Sequence, residues 1–453
     1  MTGSGPGNPG PWPLPIRLDL GPFPAGARAE ASERSLRARP GVAVFVGEAS
    51  DNADQRGCAH TISVSACGDL RAFVTGRLRG DGPRADMSEV TTLVEACEAG
   101  SGFEADLACD AVARARTPEA GAMAAARRGH FFVHLDPDAD APACRVMDGG
   151  ALGQGLPART LVGPFAARSH AESWAAMLDG AHELCRKPTL LAQRPEARAC
   201  EYKDMGLCPA PCDGSEPMEA YRDRARGALR FDGAALEARR AEFAAEIADA
   251  SASMDFERAA TLKEETGALE SARSPGIAWI TTMDRFAVLA VMPSGKKGWA
   301  RVFLHARGRT ETLADVDASV KGIGEVVAGM VRDAIARLAR GGSNWLLDAD
   351  GADAVAMVAQ HARSGRRTRG RLMLIDGGDR SSREAGGGMA LDGGIDPADL
   401  DMASLGRAIR KAANSAASAA VPESPDPGEA VDSSGGSPSG AADEKTETPD
   451  GSI

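Results

Sequence analysis

Four cysteines in one segment, Cys185, Cys200, Cys208 and Cys212, follow the spacing C-x14-C-x7-C-x3-C. Thiolates bind zinc or iron, and four of them within about thirty residues can be closed by one loop around a tetrahedral centre. The spacing is neither the familiar ferredoxin pattern nor a pair of CxxC zinc knuckles. Two readings therefore stay open at this point: a metal or cluster held by all four, or buried and free thiols. Cys58, Cys67, Cys97, Cys109 and Cys144 are scattered, as small core residues are. His170 and His182 flank the first cysteine at helical spacing and read as ordinary polar positions, His182 also as a candidate for orienting a ligand. Arg363, Arg366, Arg367, Arg369 and Arg371 could neutralise phosphates, but they lack interleaved aromatics and read as a solvated connection.

The elements that position the cysteines are helical. A helix from Ser169, with Glu172 completing a capping box, repeats Trp174, Met177, Leu178, Ala181 and Leu184 and delivers Cys185 at its end. After Cys212, a helix from about Ser215 carries Met218, Tyr221, Ala225 and Leu229. Two more helices, about 234–251 and from Asp255 through MDFERAATLKEETGALE (254–270), have the lengths of an antiparallel pair.

Upstream, VAVFVG from Val42 and TISVSA from Thr61 read as strands, and a helix from Asp69 carries Leu70, Phe73, Val74 and Leu78 on one face. A further helix is expected after Ser88, with Val90, Leu93 and Val94 apolar, then an Ala-rich helix near 118–128 and a strand at 130–136. Downstream, 286–292 and 299–306 read as a β-hairpin, followed by a long amphipathic helix with Ile323, Val327 and Val331, a helix through Val355, and a strand at 371–376. The segment 399–413 allows one more helix.

The chain has 453 residues and a net charge of −12. Residues 414–453 hold eight acidic residues and one Lys, so about −5 remains for the rest. That balance excludes a strong electropositive footprint for unaided nucleic-acid binding. With no apolar run of about twenty residues, neither a membrane span nor a secretory signal is expected. Nine cysteines in a chain expected to be cytoplasmic favour ligation over disulfides.

Taken in order, PGVAVFV, the GPF at 163–165, CEYKDMGLCPAPC and MDFERAATLKEE resemble the C subunit of the bacterial excinuclease, UvrC. The resemblance covers roughly 38–376 and is strongest over 163–270. It implies an α+β multidomain fold: a disordered lead (1–37), a degenerate GIY-YIG-like α/β domain (38–165), the four-Cys region (166–230), a UVR helical hairpin (231–273), a UvrC-like intermediate α/β domain (275–376), and a flexible linker, short helix and disordered acidic tail (377–453). The family's RNase H-like nuclease domain has no counterpart here. In the GIY-YIG-like part, the family's Tyr-Val-Gly-Lys run falls on Ser63 to Ala66 and its catalytic Arg on Phe73, which can neither shuttle a proton nor stabilise phosphate charge. Glu119 is the candidate for the family's metal-binding Glu. No catalytic residue is assigned.

The resemblance further implies a [4Fe–4S] cluster on Cys185, Cys200, Cys208 and Cys212, with zinc as the fallback. It also implies docking of a UvrB-like protein through Phe256, Glu257, Arg258, Leu262 and Lys263, with DNA reached through the complex. The expected function is that of a nuclease-inactive, UvrB-binding DNA-repair subunit. The alternatives are a damaged-DNA endonuclease with a diverged GIY-YIG site, and a UVR-bearing adaptor with a structural metal and no DNA role.

Overall fold

The structure, a computed structural model, describes residues 12–21, 24–48, 59–80, 86–119, 121, 129–231, 233–271, 279–340, 344–364, 370–376 and 401–415. Three lobes, each mixed α and β, follow one another along the chain.

The first lobe is an antiparallel sheet in the order β1-β4-β2-β3: Ile16–Asp19 (β1), Gly41–Glu48 (β2), Ala59–Cys67 (β3) and Leu93–Glu98 (β4). One face carries α1 (Ala25–Ser35) and α2 (Leu70–Arg79), packed over Ala43, Phe45 and Val94. The other face carries α3 (Gly102–Arg116), which buries Ala108 and Val112 against Val42 and Val44. Asp69 starts α2 by accepting from the Ala72 amide, and Gly80 ends it at positive φ, a conformation open to glycine.

Two expectations fail in this lobe. The segment after Ser88 becomes strand β4, because hydrogen bonding to β1 and β2 on its two sides outweighs a short helical spacing of Val90, Leu93 and Val94. Residues 12–21 and 24–37 of the lead are part of the lobe: β1 pairs with β4 in the register Ile16↔Ala96, and Ala29 and Ser32 of α1 are fully buried. Its partners lie far along the chain, so its own composition gives no sign of them. The Ala-rich segment 122–128 lies outside the described residues.

The middle lobe is a sheet in the order β6-β5-β8-β9: Phe131–His134 (β5), Arg145–Asp148 (β6), Leu161–Phe165 (β8) and Thr281–Thr282 (β9). Helix α4 (Arg168–Ala181) lies on it. No side chain caps α4, and Ser169 sits inside its first turn, so the expected capping box does not form; Arg168 and Glu172 instead make an exposed i,i+4 pair. Helix α5 (Met218–Leu229) and the hairpin of α6 (Gly233–Ala252) and α7 (Phe256–Ser271) close the core, with Tyr221, Phe243, Leu262 and Leu269 buried beside Trp174 and Met177.

The third lobe is the antiparallel sheet β12-β11-β10-β14, formed by Phe286–Pro293 (β10), Trp299–Ala306 (β11), Arg309–Asp317 (β12) and Arg371–Asp376 (β14). Helices α8 (Ile323–Ala339) and α10 (Met402–Ser415) cover one face, so the last helix belongs to this lobe's core. Helix α9 (Ala349–Arg363) covers the other, packed with Phe103, Phe132 and Leu161 from the first two lobes. The lobes are stitched together: β9 returns to the middle sheet after the hairpin, and β7 (Leu156–Pro157) pairs with β13 (Leu346–Leu347). No helix among the described residues is long and apolar enough to cross a membrane.

Candidate functional site

Helix α4 ends in a turn that passes through Glu183 at φ 48, and the Leu184 amide bonds back to the Asp179 carbonyl at 2.9 Å. That turn sends Cys185 inward. Its amide donates to the Tyr221 hydroxyl at 3.1 Å, and the hydroxyl donates to the Pro142 carbonyl at 2.6 Å. Tyr221 is fully buried, so one phenol fixes the backbone of the first cysteine to α5 and to the loop before β6.

Cys200 precedes a one-turn helix (201–204), Cys208 follows it, and Cys212 lies in a 3-10 turn opened by Ala210 at φ 60. The Ala197 amide donates to the Cys212 carbonyl, and Lys203 ties Asp213 at 2.6 Å and Ser215 at 2.7 Å. Lys187 holds Glu201 across the mouth of the segment at 2.7 Å. Cys185, Cys208 and Cys212 are buried and Cys200 is half-buried. Burial pushes the Cys185 thiol up to about 11, the neighbouring thiols add to the rise, and the Lys187 amide opposes it. Cys208 and Cys212 are raised for the same first reason.

Four thiols in one segment, three of them buried, are the donor types that zinc or an iron–sulfur cluster takes. Among the described residues, no three His, Cys, Asp or Glu side chains form a group that could hold a metal ion, so the four cysteines are not gathered around one point. His182 lies against Phe231, ring centroids 5.6 Å apart, and its carbonyl accepts from Arg224. Burial, with Arg239 and Arg224 nearby, lowers it to about 4, so it is a neutral core imidazole.

The hairpin residues separate into two sets. Phe256 is 68% exposed and Met254 75%, and Glu257 and Lys263 are exposed beside them. Leu262 is turned the other way, buried in the core with Trp174 and Tyr221, and so holds the hairpin down rather than facing outward. Arg258 is also used internally, donating to the Met205 and Gly206 carbonyls at 2.9 Å and to Glu246 at 3.2 Å. Sequence periodicity could not separate these sets, because the inner face is decided by α4, to which nothing in 254–270 points.

In the first lobe, the Ser63 hydroxyl bonds the Ser65 hydroxyl at 3.2 Å, and Phe73 is buried edge-on to Phe45, centroids 6.2 Å apart. Glu119 is exposed beyond the end of α3. A carboxylate missed in the sequence is Glu104, buried on α3 and paired with Arg301 of β11, with the Gly100 amide also donating to it. Burial raises it, Arg301 opposing. Its Ser101 N-cap was the available signal, since it places residue 104 in the first turn of α3. Of the arginine run, Arg363 donates to the Pro164 carbonyl and Arg371 to Ser404, while Arg366, Arg367 and Arg369 lie outside the described residues.

Residues 136–231 match the family model of the UvrC/Cho excinuclease middle domain. The chain is 39% identical over 75 residues to the UvrABC system protein C of Salinispora arenicola, a match covering 17% of this chain and 11% of that protein. It is 31% identical over 119 residues to the UvrABC system protein C of Natronomonas pharaonis, covering 26% of this chain and 20% of that protein. The matched stretches therefore span a fifth or less of those relatives. No solved structure matches. The family match begins just after β5 and ends at the entrance to the hairpin, enclosing all four cysteines and Tyr221: the chain is UvrC-like, and its cysteine-bearing middle lobe is the part that resembles the UvrC/Cho excinuclease middle domain.

Proposed function

We propose that the chain serves nucleotide excision repair as a UvrC-like subunit that binds a UvrB-type partner and does not cut DNA. The observation that carries this reading is the hairpin, whose inner face is buried on the middle lobe while its tip holds Met254 and Phe256 in solvent. A large exposed aromatic at a helical tip marks a contact residue more than a fold residue. Phe256→Ala should therefore weaken co-purification with a UvrB-type protein while leaving unfolding unchanged. Equal binding by both proteins would remove Phe256 from the interface.

The order β3-β2-β4, with α2 following β3 and α3 following β4, supports a GIY-YIG-like ancestry for the first lobe. The side chains there support inactivity: a serine pair and a buried phenylalanine occupy the positions where the family places Tyr-Val-Gly-Lys and Arg. Incubation with damaged duplex, Mg²⁺ or Mn²⁺ and the partner should give no incision. Reproducible incision lost in Glu119→Ala would overturn this.

For Cys185, Cys200, Cys208 and Cys212 we propose a [4Fe–4S] cluster, with zinc as the fallback. Either group, when bound, supplies a cross-link among four points of one segment. The chain's own residues prepare it: Tyr221 fixes the backbone at Cys185, Lys203 ties the one-turn helix to the Cys212 turn, and the apolar surround keeps three thiols from water. Iron, sulfide and zinc analysis after anaerobic purification tests it, and a colourless, metal-free chain of full stability would sink it. A cytoplasmic location follows from this reading.

A further inference from the structure

The last helix turns a basic face outward. Leu405, Ile409, Ala412 and Ala413 of α10 are buried in the core of the third lobe, and Gly324 of α8 accommodates the Met402 carbonyl, so the rotation of the helix is fixed. Arg407, Arg410, Lys411 and Asn414 are then left exposed, within an arc of about 100° by helical period. Arg410 and Lys411 have no ion pair among the described residues. Arg407 meets Asp401 at 3.4 Å with both side chains exposed, and such a pair contributes little.

Arg371 joins this face from β14. Successive residues of a strand point to opposite sides of the sheet, so Arg371 shares the side of Met373 and Ile375, which are buried in the same core as α10. Its guanidinium donates to the Ser404 hydroxyl at 3.2 Å, and Ser404 lies two turns from Lys411 on the same side of α10. The fold therefore brings one end of the arginine run to the outer face of the last helix. Arg371, Arg407, Arg410 and Lys411 stand there against Asp401 alone on α10, in a chain whose net charge is −12. The neighbouring α8 does not reverse the sign: Glu325 and Asp333 are exposed on it, but so are Arg332 and Arg337, and Lys321 just before it. The far side of the sheet differs, since α9 and its N-cap bring Asp348, Asp350 and Asp353.

No large apolar side chain is exposed on α10, and the exposed Val326 and Met330 belong to α8. A tightly held protein partner needs a buried apolar centre, and stacking on bases needs aromatics, so this face suits neither. Guanidinium forks and an ammonium suit phosphate oxygens. We propose that Arg371, Arg407, Arg410 and Lys411 contact the sugar–phosphate backbone of a nucleic-acid duplex, independently of base sequence. From Ser404 to Lys411 the helix spans about 10 Å, the length of about three phosphates along one strand at ~3.4 Å each. With roughly four phosphates neutralised, binding by the chain alone is weak and salt-sensitive, in keeping with its acidic net charge. The contact goes beyond the repair reading above, in which a partner brings the DNA, and it uses neither the hairpin nor the cysteines.

The test titrates the full chain against a short labelled DNA duplex of arbitrary sequence, by fluorescence anisotropy at a series of salt concentrations. Log Kd should rise with log salt at a slope of about 3–4. Arg410→Gln/Lys411→Gln should lower that slope by about two while the urea unfolding midpoint stays unchanged. An unaltered slope in the double variant, or no binding by the wild type at low salt, would overturn the site. Displacement of the duplex by poly-glutamate as readily as by unlabelled duplex of equal charge would put an acidic protein on the face and overturn the proposed occupant. Phe256→Ala, which tests partner docking, should leave the slope where it is, so the two readings fail separately; a slope lowered equally by Phe256→Ala would overturn the placement on α10.

Discussion

Tyr221→Phe isolates one atom that the middle lobe depends on. The phenolic oxygen accepts from the Cys185 amide at 3.1 Å and donates to the Pro142 carbonyl at 2.6 Å, and the whole side chain is fully buried. Phenylalanine keeps the ring packed among Trp174, Leu184 and Leu262, so the hydrophobic contribution changes little. What is lost is the partner of two buried backbone groups. Each such group costs about 1–3 kcal/mol when left unpaired. Part of this is offset because the hydroxyl itself no longer has to be desolvated, so a net loss of about 2–4 kcal/mol is expected. Against the roughly 5–15 kcal/mol that stabilises an ordinary domain, that is a large fraction. Urea unfolding followed by fluorescence reads it as a lower midpoint with an unchanged slope. The Cys185 amide should also exchange faster, since its acceptor is gone. A loss under about 0.5 kcal/mol at constant slope would mean that water replaces the oxygen, and would refute the view of this site as dry.

Three further outcomes are expected. Arg301→Ala should cost about 3–5 kcal/mol, because it strands the buried Glu104 carboxylate; the double variant Arg301→Ala/Glu104→Gln should recover much of that, and if it does not, the ion pair is not the cause. Gly324→Ala should release α10 from α8, since a Cβ there runs into the Met402 carbonyl oxygen, a backbone atom that cannot swing aside; limited proteolysis ahead of Met402 should quicken, and an unchanged digest would refute the close crossing. Asp179 is displaced upward to about 7, first by burial and then by Glu265, with the Cys144 thiol and Arg186 opposing. A carboxylate raised in the folded state contributes stability below its unfolded value of 3.8 that is lost as pH climbs through about 7, at most about 4 kcal/mol, so Asp179→Asn should flatten the decline between those pH values; parallel wild-type and variant curves would refute it.

Local signals carried far along this chain. The β10–β11 hairpin and the lengths of α6 and α7 follow from period and punctuation, which neighbouring residues set among themselves, whereas α4 stops at Ala181, short of Leu184, and a turn through Glu183 brings in Cys185. The features that could not be read depend on remote partners. Strand β1 is a strand because of Leu93–Glu98, and Leu93 and Val94 are in a strand because β1 and β2 flank them. Leu262 and Phe256 are equally apolar and only six residues apart, yet one is core and the other solvent-facing, because α4 lies on one side alone. Charge behaves likewise: Arg258 offers a rim cation in sequence and is spent on two carbonyls some fifty residues upstream.

The same remoteness gives the first lobe a structural place in the molecule that is independent of Ser63 and Phe73. Helix α3 bears on the third lobe through several independent contacts. Phe103 lies 5.3 Å from Phe303 and 5.2 Å from His361. Asp106 bonds His361 at 2.7 Å, and Arg114 reaches Asp350 at 2.5 Å and the buried Asp353 at 2.7 Å. Glu104 with Arg301 completes the set. Asp350 is exposed, but Asp353 and Glu104 are buried, and there losing one partner costs far more than an exposed pair contributes. Substitution at Ser63 or Phe73 therefore leaves the lobe's attachment untouched, whereas substitution along α3 loosens it. The residues that fix the lobe to the rest of the chain lie on α3, and the Ser63–Ser65 pair and Phe73 take no part in that attachment.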